Sequence, residues 1–254
     1  MTKLTASEIK SRLKEVVNEE DPWFQSILTD DRKSVQSSIA STFKRFEKQR
    51  KLEAHFKDMW QYEERGKTMG ASFIAGIDEV GRGPLAGPVV ACAVILPDDF
   101  DVLEVNDSKQ LSLSKREELF DKIMAQATAV GIGIKDASIV DEVNIYQATK
   151  LAMIDAVKAL SLQPDLLLID AMTLDIPIPQ ESIIKGDAKS ISIACASIIA
   201  KVTRDRMMAD YDKEYPGYGF ANNAGYGTKV HLEGIETYGI TPIHRKTFAP
   251  IKNK

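Results

Sequence analysis

Asp78 and Glu79 are neighbouring acids at the end of an apolar run, in the stretch Gly76-Ile77-Asp78-Glu79-Val80-Gly81-Arg82-Gly83-Pro84-Leu85-Ala86-Gly87-Pro88. Two adjacent carboxylates inside an apolar strand are costly to bury unpaired, so the pair points to chemistry more than to packing. Asp170 closes the apolar run Leu166-Leu167-Leu168-Ile169, and Asp187 stands between Ile183-Ile184 and the start of a long helix-like segment. The carboxyl ends of strands in open α/β sheets are where ligands bind. Carboxylates gathered there repel one another unless a cation lies among them. An oxygen-only ligand set suits a hard ion, Mg²⁺ or Mn²⁺, which keeps waters that substrate oxygens can replace. Two such ions about 3.5–4 Å apart can stabilise both the attacking and the leaving oxygen of a phosphodiester hydrolysis. Plainer roles exist beside this one: Asp187 as the N-cap of its helix, and Asp170 as a turn residue before Ala171-Met172-Thr173. Successive strand residues face opposite ways, so Asp78 and Glu79 share a site only if the strand ends or bulges there. Zinc is disfavoured, because His55, His231 and His244 have no mutual ligand spacing.

The glycines after Glu79 do not make a dinucleotide fingerprint, which must open a helix. Here Pro84 and Pro88 lead into Val89-Val90-Ala91-Cys92-Ala93-Val94-Ile95-Leu96, so the context is strand, turn, strand. Bare backbone in such a turn can approach a sugar-phosphate chain closely. Further on, Ser190, Ser197, Lys201 and Arg204 fall at i, i+7, i+11 and i+14 of an otherwise apolar helix. This stripe is expected to border a substrate channel, with Lys201 or Arg204 on a backbone phosphate. The alternative is that Lys201 pairs with Asp205 at i+4 while Arg204 is solvated.

The elements that carry these residues read as α/β, preceded by helices. Thr5-x-x-Glu8 is a capping box ahead of Ile9, Leu13, Val16 and Val17 at helical spacing. Pro22 suits the first turn of a short helix, and a longer helix is expected from about Ser34 to Glu64. Gly66 and Gly70 bracket a linker, which divides the chain into a helical appendage over 1–70 and a main domain over 71–254. In the main domain strands are expected at 73–78, 89–96, 130–134, 165–170 and 183–184. Helices are expected from Ser114 as N-cap to Ala127, from Asn144 to Leu160, and from Ala188 to about Glu214.

The chain has 254 residues, 44% hydrophobic and 28% charged, with no apolar run near the roughly 18 residues of a membrane span. Its start reads into a polar helix and lacks the apolar core of a signal peptide. Cys92 and Cys195 lie in apolar runs and read as free buried thiols, which with the polar start favours the cytoplasm. The net charge of −4 divides unevenly: residues 1–70 hold 14 Lys and Arg against 12 Asp and Glu, and the remainder 19 against 25. Seven basic residues lie between Lys33 and Lys57 against two acidic ones. The run is either a solvated helix face or a phosphate-binding arm.

Gly76 to Pro88, Asn106-Asp107-Ser108-Lys109, and Lys185-Gly186-Asp187 leading into Ile193-Ala194-Cys195-Ala196-Ser197-Ile198-Ile199-Ala200-Lys201-Val202-Thr203-Arg204-Asp205 together resemble ribonuclease HII. So do Gly225-Tyr226-Gly227-Thr228 and His244-Arg245-Lys246-Thr247-Phe248. The motifs keep the family's order and cover about residues 72–248. The resemblance implies an RNase H-like mixed sheet flanked by helices. It also implies hydrolysis of the RNA strand of RNA–DNA hybrids, and incision 5′ of single ribonucleotides in duplex DNA, as in ribonucleotide excision repair. The products would be 3′-hydroxyl and 5′-phosphate ends, from a monomer that needs no membrane. In that mapping Asp78, Glu79, Asp170 and Asp187 hold two Mn²⁺ or Mg²⁺ ions, with Asp78 and Asp170 shared between them. Gly81-Arg82-Gly83 reads the 2′-hydroxyl and adjacent phosphate, Tyr226 packs on the following deoxyribose, and Lys109 contacts substrate. A 2′-hydroxyl alone separates RNA from DNA at one nucleotide, so the sensor has to come close. Tyr226 as a packed core aromatic is the plainer reading.

Two departures stand out: many relatives carry proline where Gly227 stands, and shorter members lack the helical extension. The sister group, ribonuclease HIII, typically lacks the Gly-Arg-Gly turn and has glutamate as its fourth acid, so Gly81-Arg82-Gly83 and Asp187 favour type II. Two other functions compete. A non-catalytic nucleic-acid-binding protein would have lost one of the four acids, and a phosphatase on small phosphoesters has no use for the turn or Tyr226.

Overall fold

The computed structural model describes residues 4–106 and 108–253. They form two compact units, one extending to Lys57 and one beginning at Asp58.

In the first unit α1 (Ala6–Leu13) opens on the expected capping box: the Glu8 amide donates to Thr5 Oγ1 at 3.3 Å and the Thr5 amide to Glu8 Oε2 at 2.7 Å. The next helix, α2 (Pro22–Ile27), has Pro22 in its first turn and Asp21 as N-cap, accepting from Trp23 N and Phe24 N. Most of the long α3 (Lys33–Met59) follows. Their apolar faces meet at Ile9, Leu13, Phe24, Val35, Ile39 and Phe46. Arg45 clasps the end of α1 by donating to the carbonyls of Leu13, Lys14 and Val16.

The second unit begins with α4 (Gln61–Thr68), separated from α3 by a break at Trp60 where one continuous helix was expected. The sheet has the order β3-β2-β1-β4-β5, from strands β1 (Ile74–Val80), β2 (Val89–Ile95), β3 (Ala129–Lys135), β4 (Leu166–Asp170) and β5 (Gln180–Ile183). β1, β2 and β3 form an antiparallel meander, whereas β4 and β5 run parallel to β1. This is the mixed sheet flanked by helices that the resemblance implies.

Helix α5 (Leu113–Gln126) starts two residues earlier than expected, because Ser112 rather than Ser114 accepts the Lys115 amide. Helix α6 (Ala137–Lys158) is kinked at Asn144, whose φ of 68° breaks the helix and whose Oδ1 recaps it by accepting from Tyr146 N and Gln147 N. That internal cap is the helix start read from sequence. Along β1 the residues alternate: Ala75 and Ile77 enter the core shared with α6, while Gly76 faces α7 (Ile191–Glu214). A Cβ at Gly76 would lie 2.2 Å from the Ser192 carbonyl carbon, so only glycine lets α7 lie this close to β1. Two short helices, α8 (Phe220–Asn223) and α9 (Lys229–Tyr238), complete the unit. Cys92 and Cys195 are free and buried, and no helix among the described residues is long and apolar enough to cross a membrane.

Candidate active site

Asp78 lies on the face of β1 that looks toward α7. It is only 4% exposed and accepts hydrogen bonds from the Ser197 hydroxyl and, at 2.8 Å, from the Glu79 amide. Burial holds its carboxyl well above the usual carboxylate range, and the charges of Glu79 and Asp170 push it further. Ser197, expected on the channel wall, is itself buried; its oxygen lies 2.9 Å from the Ser108 hydroxyl. The β1–β2 ladder runs on without a bulge, pairing Asp78 with Cys92, Glu79 with Ala91 and Val80 with Val90. Glu79 therefore leaves the strand on the opposite face. Its Oε1 lies 3.3 Å from Arg82 Nη1, and its Oε2 is buried with no hydrogen-bond partner. Its carboxyl is also raised, first by burial and then by Asp170, against the pull of Arg82.

Asp170 ends β4, half-buried, with Oδ1 accepting the Gly186 amide at 2.7 Å. Burial raises its carboxyl, the Gly186 amide opposes this, and the charge of Asp187 adds to it. Asp187 is not a helix cap. It lies in a separate 3₁₀ turn, Gly186–Ala188, entered through Lys185 in the left-handed region (φ 57°), whereas Ser190 caps α7. Released from capping, Asp187 is buried with Oδ2 3.1 Å from Lys109 Nζ. The four acids thus form an electrostatic chain, Glu79 and Asp78 with Asp170, and Asp170 with Asp187. Among the described residues, however, no group of three His, Cys, Asp or Glu side chains is closed into a metal-ligand cage. Their oxygens are held by Ser197, Arg82, Gly186 and Lys109 instead.

The glycine turn sits on two buried arginines. Gly81 has φ +93°, and a Cβ there would lie 2.2 Å from Arg204 Nε. Arg204 donates to the carbonyls of Pro88 (2.8 Å), Ala224 (2.8 Å) and Ala86 (3.1 Å). Arg245 donates to those of Gly81 (2.5 Å), Arg82 (3.0 Å), Pro84 (2.9 Å) and Gly87 (2.8 Å). Both side chains are fully buried, and burial pulls their guanidinium groups down to about 10 and about 9. In a trans peptide the C=O and the following N–H point in opposite directions. Drawing the Gly81 and Arg82 carbonyls onto Arg245 therefore turns the Arg82 and Gly83 amides away from it. Tyr226 borders the same turn, half-exposed, with its Cε1 3.4 Å from where a Gly83 Cβ would be. Its loop is tied to the turn by Leu85 N and Ala86 N, both donating to the Gly225 carbonyl.

Models of two families match the chain, the ribonuclease HII N-terminal domain over residues 5–67 and ribonuclease HII over residues 75–251. A ribonuclease HII of Bacillus cereus is 57% identical over 253 residues, covering 100% of this chain and 98% of that one. The ribonuclease HII of Enterococcus faecalis is 58% identical over 253 residues, covering 100% and 99%. The chain belongs to the ribonuclease HII family. Among solved structures, the ribonuclease H2 of Pyrococcus horikoshii OT3 superposes with a TM-score of 0.63 at 27% identity, over 72% of this chain and 96% of that one. The chain is accordingly an endoribonuclease of the ribonuclease H type, from a family that cleaves the RNA of RNA–DNA hybrids.

Within this ribonuclease HII fold Arg204 has surroundings that neither reading anticipated, and Lys201 takes the second of its two. Arg204 is enclosed beneath the glycine turn, not exposed on a channel wall, because its guanidinium is taken up by three backbone carbonyls. Lys201 pairs with Asp205 at 2.7 Å, the alternative to a phosphate contact. Asp107, part of the Asn106–Lys109 motif, lies outside the described residues. Three features went unread in sequence. Arg245 was visible only as part of a motif, with no role. His231 and His244, thirteen residues apart in the chain, meet as a hydrogen-bonded pair. Glu63 on α4 is buried and accepts from the Ser190 hydroxyl and from the Ser192 hydroxyl and amide, bracing the start of α7 next to Asp187. A lone glutamate on a polar helix carries no sequence signal of such a role.

Proposed function

We propose that this ribonuclease hydrolyses the RNA strand of RNA–DNA hybrids and incises 5′ of a single ribonucleotide in duplex DNA, leaving 3′-hydroxyl and 5′-phosphate ends. The observation that carries this reading is the Gly81-Arg82-Gly83 turn, braced by Arg245 and Arg204, between the buried acids and the Tyr226 ring. The Arg82 and Gly83 amides offer donors to a 2′-hydroxyl and its neighbouring phosphate, and with no side chain at Gly81 or Gly83 the sugar can come close. Tyr226, half-exposed beside the turn, would pack on the next deoxyribose, which a 2′-hydroxyl would crowd.

The acids fit a hard divalent cation. A buried Glu79 oxygen has no partner, and Asp78 is held above its ordinary range by burial among like charges. Mg²⁺ or Mn²⁺, bound by Asp78, Glu79, Asp170 and Asp187 as a pair, would supply a water acidified for attack and charge neutralisation for the leaving 3′-oxygen. The protein's own part is positional. Gly186 orients Asp170, Ser197 orients Asp78, and Lys109 holds Asp187 until substrate phosphate competes for the lysine. Arg82, half-exposed beside Glu79, would meet the phosphate.

The test is a labelled duplex with one ribonucleotide, incubated with Mn²⁺, Mg²⁺ or chelator. Cleavage only with a divalent ion, 5′ of the ribonucleotide and leaving a 3′-hydroxyl, is expected. Equal cleavage in chelator, or a 2′,3′-cyclic product, would overturn the scheme.

The helical appendage, taken as residues 1–70, is proposed to add hybrid affinity through the basic residues of α3. A deletion ending at Lys57, which keeps Glu63, is expected to raise KM with kcat preserved; an unaltered KM defeats the idea.

A further inference from the structure

Thr241, His244, His231 and Tyr226 form a line of hydrogen bonds whose two ends favour one set of proton positions. At one end the Thr241 hydroxyl, 2.8 Å from His244 Nδ1, can donate or accept, but the Thr241 amide at 2.9 Å only donates, which favours a bare Nδ1. At the other, His231 Nδ1 lies 2.9 Å from the Tyr226 carbonyl, which only accepts, so this nitrogen carries one. Between them the two Nε2 atoms are 3.0 Å apart. A neutral His244 with a bare Nδ1 has its proton on Nε2 and donates it to the bare Nε2 of His231. The constraints from both ends agree, and the chain runs one way, from Thr241 to Tyr226.

Both imidazoles are fully buried against the rings of Tyr218 and Phe220. The titratable groups facing the pair are the two rings themselves and the Tyr218 phenol, which is tied to the Gly239 carbonyl. Arg245, next to His244, turns its guanidinium to the glycine turn, and Lys229 and Glu233 of α9 pair with each other at 3.7 Å on exposed surface.

We propose that His231 and His244 are positioning residues for substrate binding: their one-way hydrogen-bond chain sets the Tyr226 backbone, and so places the Tyr226 ring beside the Gly81-Arg82-Gly83 turn. The proposal rests on the reading of Tyr226 as the residue that packs on the sugar. The Tyr226 backbone also donates to the Asn223 carbonyl at 2.9 Å and accepts the Thr228 amide at 2.7 Å, and the histidine chain is the one of these ties that reaches it from the closing loop. An added proton is disfavoured in the chain. On His244 Nδ1 it meets the Thr241 amide, with only the Thr241 hydroxyl at 2.8 Å to accept it, and on His231 Nε2 it meets the proton of His244. Burial agrees, holding His244 down to about 4 and His231 below its ordinary value. The unfolded chain therefore binds more protons between about pH 4 and 6.5. The pair's contribution is complete above that window and is lost as pH falls through it.

Two measurements test this. Nitrogen-15 NMR of the imidazoles should show His231 as the Nδ1–H tautomer and His244 as the Nε2–H tautomer, neither titrating near pH 6.5. The opposite tautomer on either ring overturns the proposal, whatever the substrate of the enzyme proves to be. Steady-state kinetics on the single-ribonucleotide duplex gives the second. His231→Ala should raise KM about tenfold with kcat little changed, and His231→Asn, whose amide can replace the Nδ1 donor, should recover most of the loss. In a Tyr226→Ala background His231→Ala should add nothing, because both act through one contact. Additive effects, or a fall in kcat at constant KM, would overturn it. If His231→Ala does not fold, the same cycle is run with His231→Leu, which fills the space without the Nδ1 donor, and a KM insensitive to it overturns the proposal equally. Absence of any cleavage by the native enzyme counts against the proposed function instead, and leaves the tautomer result to stand or fall alone.

Discussion

The acidic cluster and the glycine turn are separated by a single residue along the chain and are built in opposite ways. The acids are only partly satisfied: Arg82 and Lys109 lie against Glu79 and Asp187, yet Glu79 keeps a buried oxygen without a partner and Asp78 is buried beside two like charges. The turn is over-determined: seven guanidinium-to-carbonyl bonds within it and its flanks hold a backbone that spans only Gly81 to Pro88, with a further one to Ala224. A site that must take up a cation gains from ligands whose charge the protein has not already neutralised. A site that must detect one hydroxyl gains from a backbone that cannot yield, since a sensor that moves accepts either sugar. Both devices cost stability, one through repulsion and the other through the burial of two cations, and the surrounding small-residue core has to carry that cost.

The sharpest way to break this contrast is to neutralise the acids. Asp78→Asn or Asp170→Asn is expected to cut kcat by about a thousandfold while hybrid binding stays measurable. In chelator Asp78→Asn should raise Tm, by about 2–4 °C for each kcal/mol of repulsion removed in a chain of this size. Full activity, or a lowered Tm in chelator, would mean that the acids are not the strained element described here. Next in size is the turn. Arg245→Lys replaces a planar fork by a point donor, leaves several buried carbonyls short of partners, and should cost about 1–3 kcal/mol of folding stability. Its diagnostic readout is selectivity: the preference for the ribonucleotide-containing duplex over all-DNA binding should fall more than turnover on a long hybrid. Proportional loss of both would make Arg245 a structural residue only. Glu63→Ala should lower Tm to a similar or smaller extent, measured by thermal denaturation, because three donors at the start of α7 lose their acceptor. Smallest is Lys201→Ala. Its ammonium is already paired with Asp205, so the slope of log affinity against log salt should not change. A shallower slope would return Lys201 to the phosphate path.

Much of this molecule was open to reading from its residues. Four of the five strands hold the apolar runs read from the sequence, whereas β5, mostly polar over Gln180–Ile183, was anticipated only at its last residue; the capping box at Thr5 satisfies its own helix end and needs no information from elsewhere. The acids at strand ends were equally legible, because a carboxylate after an apolar run has few cheap structural roles. The helix boundaries that shifted are those where two local solutions compete, such as Ser112 against Ser114, or the recapping of α6 at Asn144.

What local pattern could not supply was the destination of side chains that end far from their own segment. Arg204 looked like one member of a polar stripe, and helical spacing cannot distinguish a channel wall from the underside of a turn brought in from more than a hundred residues away. His231, His244 and Arg245 act through atoms contributed by other loops, and Glu63 through a helix start beyond the whole sheet in sequence. A hydrogen bond is local in space but not along the chain. The amino-acid order thus determined which groups could do the chemistry and which elements would carry them. Only the packing of α7 against β1, and of α9 and the closing loop against the segment Leu85–Ala86, decided which buried polar groups hold the turn and the tyrosine in place.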